Sequence, residues 1–87
     1  MWKLEFTKSS RRDFHKLAPH DRQKVIGYLR DRVLPADDPR LFGKPLTGDR
    51  RGCWRYRVGD LRIIVEIEHD KLVVLVIEIG HRREFYR

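Results

Sequence analysis

Eight side chains in two short stretches could do chemistry together. The octet GHRREFYR, Gly80 to Arg87, crowds His81, Arg82, Arg83, Tyr86 and Arg87 behind an apolar run, and CWRYRVGDLR places Arg55, Arg57 and Arg62 upstream of it. Arginine's planar donor fork matches phosphate oxygens better than a lysine point charge does, so the set reads as an anion site. One reaction suits arginines, a tyrosine and a histidine without a metal: phosphoryl transfer within RNA. There a 2′-hydroxyl attacks the neighbouring phosphorus, the 5′-oxygen leaves, and catalysis rests on positioning, charge stabilisation and two proton transfers.

Other chemistries lack their residues. His15, His20, His69 and His81 have no metal-ligand spacing, Cys53 is alone, and GKPLTG lacks the P-loop spacing, so neither metal nor cofactor is expected. No seryl or cysteinyl nucleophile has an evident base partner.

The elements that must position these side chains follow from periodicity. WKLEFT alternates Trp2, Leu4 and Phe6 with charged residues, which predicts a strand. SSRRDFHKLA predicts a short helix, with Ser10 and Asp13 as a variant capping box; a second helix starts near Pro19, carries Val25, Ile26, Leu29 and Val33 on one face, and stops at Pro35. Gly27 weakens that helix and suggests close packing. The stretch from Pro35 to Gly52 predicts a long ordered loop, anchored by Leu41, Phe42 and Leu46. Three strands then follow, Cys53 to Val58, Leu61 to Glu68 and Leu72 to Ile79, the first two joined by a Gly59-Asp60 turn. The expectation is one α+β domain over residues 1–87: an N-terminal strand, a two-helix hairpin, and three antiparallel strands completing a four-stranded, mainly antiparallel sheet with the helices on one face.

A two-residue turn at Gly59-Asp60 also sets the register. Val58 then faces Leu61, Arg57 faces Arg62, Tyr56 faces Ile63, Arg55 faces Ile64 and Trp54 faces Val65. One face collects Trp54, Tyr56 and aliphatic residues as core; the other collects Arg55, Arg57 and Arg62. Directly opposed arginines destabilise a sheet, so their presence favours an anion site over an ordinary solvated face. The last strand is apolar on both sides and is expected to lie centrally. Twenty Lys and Arg against thirteen Asp and Glu give a net charge of +7, which suits nucleic acid, an anionic membrane surface or an acidic protein. No apolar run approaches the roughly 20 residues of a membrane helix, and a cytosolic protein is expected.

The order of elements, with PRLFGKPLTG, GCWRYRVGDLRIIVEIE and VLVIEIGHRREFY, resembles the RelE branch of the RelE/ParE toxin superfamily over nearly the whole chain. The resemblance implies a type II toxin that cleaves messenger RNA in the ribosomal A site, against 16S rRNA, and that is neutralised in a hetero-oligomer by an acidic RelB-like antitoxin. It implies charge stabilisation by Arg62 and Arg82, and 2′-hydroxyl activation or nucleotide positioning by Tyr86. Arg55, Arg57, Arg83 and Lys44 form the phosphate-binding set. Well-known members carry lysines where this chain has Arg55 and Arg57; arginine does not lose its proton, so these two are assigned clamping rather than acid–base work. His81, whose ordinary pKa lies near neutrality, is the candidate donor to the leaving 5′-oxygen. Two other readings share the residues: a ParE-like poison of DNA gyrase, against which HRREFY argues, and a non-catalytic RNA-binding module.

Overall fold

The computed structural model describes residues 2–82. Strand β1 (Lys3–Phe6) leads into helix α1 (Lys8–Lys16) and helix α2 (Pro19–Tyr28). Helix α2 runs on through one π-helical turn, Leu29–Val33, where the Leu34 N–H donates to the Leu29 carbonyl at 2.9 Å. Two 3₁₀ turns, Pro39–Phe42 and Gly48–Arg50, flank the two-residue strand β2 (Lys44–Pro45). Strands β3 (Cys53–Val58), β4 (Leu61–Glu68) and β5 (Val73–His81) complete the described chain. No helix among the described residues is long and apolar enough to cross a membrane.

The sheet has five strands rather than the expected four, in the order β1-β5-β4-β3-β2. The extra one is β2, antiparallel to β3 with Lys44 opposite Arg55 and Pro45 opposite Trp54. Two residues show no alternation, and a proline argues against a strand except at a sheet edge, which is where β2 lies. Strand β1 joins the other side of the sheet parallel to β5, which therefore has neighbours on both sides, as its two-sided apolar character requires.

The β3–β4 register is the one that the Gly59-Asp60 turn demands, from Val58 opposite Leu61 to Trp54 opposite Val65. Gly59 sits at φ +59°, which suits glycine at the first position of a two-residue hairpin turn. The helices cover the face that carries Tyr56, Leu61, Ile63 and Val65, and Val25, Leu29 and Val33 from the helical side complete a continuous buried cluster.

Three local expectations change. Helix α1 is capped by Thr7, whose side chain accepts from the Ser10 N–H at 3.1 Å, not by a Ser10–Asp13 box. Gly27 is not a close-packing site, because a Cβ there would meet nothing within 4 Å. Leu41 and Phe42 do not anchor the long loop: they are 75% and 42% exposed, while Pro39 is buried and its carbonyl accepts from the Tyr56 hydroxyl at 2.8 Å.

Ser10 and Asp13 instead hold the sheet. The β4–β5 register slips by one residue, with Ile64 opposite Glu78 but Val65 opposite Val76, which leaves Ile77 as a bulge. Around it the buried Ser10 hydroxyl donates to the Val76 carbonyl at 2.7 Å, and the Asp13 carboxylate accepts from the Ile79 N–H at 3.1 Å. Helix α1 thus supplies partners for backbone groups that a bulge disturbs.

Candidate functional site

Strand alternation sorts the functional side chains. Arg55 and Arg57 share the sheet face turned away from the helices, and Arg62 lies opposite Arg57 on that face. Arg57 is exposed, Arg55 is half-buried, and Arg62 is only 5% exposed. An arginine sealed that far from water, directly across from a like charge, is not an ordinary solvated residue.

The bulge decides what β5 adds to this face. Simple alternation from Val74 and Val76, both core residues, would turn His81 toward the arginines. The extra residue at Ile77 reverses the order, so Ile79 pairs with Ile63 and His81 with Leu61 on the helix side, while Glu78 and Gly80 pair with Ile64 and Arg62 on the arginine side. His81 accordingly has its Nε2 atom 3.9 Å from a carboxylate oxygen of Asp21 on α2, and is separated by the sheet from the arginine face that it was expected to serve. Arg82 follows at the strand end, its backbone N–H bonded to the Asp60 carbonyl at 2.7 Å, which ties it to the β3–β4 turn next to Arg62. Arg83 and Tyr86, also expected in the site, lie outside the described residues.

Two side chains that the sequence reading left out of the site belong to this face. Glu78 forms an ion pair with Arg50 of the second 3₁₀ turn, linking that loop to β5. A carboxylate inside the apolar run LVVLVIEIG was the available signal. Phe42 joins Lys44, Arg55 and Arg57 in walling a pocket of about 130 Å³. Lys44 reaches it because β2 sets that residue beside Arg55. Cys53 lies further along the same face; burial, with Glu66 nearby, pushes its thiol pKa up despite the opposing pull of Arg50, which disfavours the reactive thiolate.

Comparison with known proteins bears on this arrangement. The family described as the ParE toxin of type II toxin-antitoxin systems, parDE, matches residues 4–86. This chain is a toxin of the RelE/ParE family. It is 30% identical to Toxin RelG of Mycobacterium tuberculosis over 84 residues, which span 97% of this chain and 94% of that protein. Among solved structures, the toxin-antitoxin complex RelBE2 of M. tuberculosis superposes with a TM-score of 0.84 at 28% identity, over 93% of this chain and 91% of the other. The isolated RelE toxin of E. coli, at 22% identity, shares the fold with a TM-score of 0.75, over 93% and 84% of the two chains. The RelE/ParE toxin described above therefore keeps the fold of these relatives.

Proposed function

We propose that this toxin is an endoribonuclease that cuts messenger RNA in the ribosomal A site, in the cytoplasm and without a metal. The observation that carries the reading is the buried Arg62 on a face shared with Arg55 and Arg57. Three guanidinium groups on one sheet face, one of them largely withdrawn from water, supply the preorganised donors that stabilise the charge of a phosphorane. In the reaction the 2′-hydroxyl oxygen bonds to phosphorus, the bond from phosphorus to the 5′-oxygen breaks, one proton leaves the hydroxyl and one reaches the 5′-oxygen. The products are a 2′,3′-cyclic phosphate and a free 5′-hydroxyl. Arg62 and Arg82 stabilise the charge, Tyr86 activates the 2′-hydroxyl or positions its nucleotide, and Arg55, Arg57, Arg83 and Lys44 hold flanking phosphates and 16S rRNA.

The partner in the resting state is an acidic RelB-like antitoxin. A net charge of +7 favours such a protein, and structural relatives were solved as RelBE complexes. A second reading, inhibition of DNA gyrase, follows from the ParE description of the matching family. The two are separated by incubating the toxin with programmed ribosomes and, in parallel, with gyrase and plasmid. The nuclease reading expects cleavage by the parent that Arg62→Ala lowers about 10²- to 10³-fold and Tyr86→Phe also slows; trapped gyrase–DNA complexes without mRNA cleavage would favour the alternative.

A further inference from the structure

We propose that Phe42 is a stacking platform for a nucleobase, and that Phe42, Lys44, Arg55 and Arg57 together form a subsite for the nucleotide held on the β2 side of the cut. This rests on the nuclease reading above and adds a specificity element to it. Three observations converge on it. The first is cost: Phe42 is 42% exposed beside Leu41 at 75%, although burying such side chains would stabilise the fold, and an exposed aromatic among cations suits a ligand with a flat face and a charged backbone.

The second is rigidity. Asp38 caps the 3₁₀ turn, accepting from the Arg40 backbone N–H at 3.0 Å, and the Arg40 guanidinium grips both oxygens of the same carboxylate. Behind the turn the Tyr56 hydroxyl fastens the Pro39 carbonyl, and Gly43 lies so close to the Tyr56 ring that a Cβ would come within 3.1 Å of it. The ring is thus carried on a braced turn, as a platform should be.

The third is composition. Lys44, Arg55 and Arg57 line, with Phe42, a pocket of about 130 Å³, which has room for a phosphate group or a base edge. An acidic peptide could use the cations, but the aromatic face set among them is the arrangement that stacks a base while its phosphate is clamped.

The test is single-turnover cleavage of mRNA on programmed ribosomes at increasing toxin concentration, with thermal melting of each variant as the check on folding. Phe42→Leu keeps an apolar side chain but removes the ring. It is expected to raise the half-saturating toxin concentration about tenfold with little change in the limiting rate, whereas Phe42→Trp stays within about threefold of the parent. A 2-aminopurine placed at successive codon positions is quenched at one position by the parent and at none by Phe42→Leu. Cleavage by Phe42→Leu with the parent's saturation curve overturns the platform, and so does a variant that loses only its affinity for the acidic antitoxin. Absence of cleavage by the parent overturns the nuclease reading itself, and this subsite with it.

Discussion

At the scale of one residue, the buried Arg62 carries the charge-stabilising role proposed for this face. It is 5% exposed and faces Arg57, and methionine there keeps an unbranched side chain of similar length while removing the charge. Arg62→Met is expected to lower cleavage about 10²- to 10³-fold, with thermal melting as the check that the variant folds. His81 makes the opposite case. Loss of a general acid costs about 10²- to 10⁴-fold, but the ring sits beside Asp21 on the helix side of the strand end, so His81→Ala is expected to cost far less between pH 5 and 8. Tyr56 is structural: its buried hydroxyl holds Pro39, and burial, with Tyr28 and Asp38 nearby, pushes its pKa well above the ordinary value of about 10. Because the folded state retains the proton that the unfolded chain releases first, this stability is intact below about pH 10 and is lost as pH rises beyond it. Tyr56→Phe should therefore cost about 1–3 kcal/mol at neutral pH, by leaving the Pro39 carbonyl without its donor, and should flatten the alkaline decline in a melting series.

At the scale of elements, helix α1 orders the site through the β5 bulge. Ser10→Ala and Asp13→Ala each remove a partner from the backbone around Ile77, and each is expected to cost about 1–2 kcal/mol in urea unfolding. If the bulge slips, Glu78 and Gly80 lose their side of the sheet, so Asp13→Ala should also lower cleavage although Asp13 is on the far face. Gly27→Ala gives a contrasting result, a gain of about 1 kcal/mol, since the added methyl meets nothing and helix propensity improves. The same elements show what was legible in the sequence. The β3–β4 register, and with it the arginine face, could be read from Gly59-Asp60 and strict alternation, because a two-residue turn leaves no freedom in pairing. The β5 bulge could not: Val74 to Ile77 is apolar in both phases, so alternation carries no information where the bulge forms, and the partners that specify it lie 66 residues away. Strand β2 and the exposed Phe42 were hidden for a related reason, since a two-residue strand has no period and an aromatic in a loop reads as an anchor.

For the whole molecule, a charge of +7 on 87 residues sets how it meets its partners. RNA binding should weaken steeply with salt, and removing one phosphate contact, as in Arg57→Gln, should reduce the slope of log affinity against log salt by about 0.7. An antitoxin of the acidic kind proposed above would be drawn by the same field, so its association should accelerate as ionic strength falls. The central claim is that this face cuts RNA with the RNA's own 2′-hydroxyl. The most direct measurement identifies the ends left on an mRNA after incubation with the toxin and programmed ribosomes. A 2′,3′-cyclic phosphate and a 5′-hydroxyl within the A-site codon, formed by the parent and suppressed in the folded Arg62→Met variant, are the predicted result. An uncut message, or one cut equally fast by Arg62→Met, would contradict it.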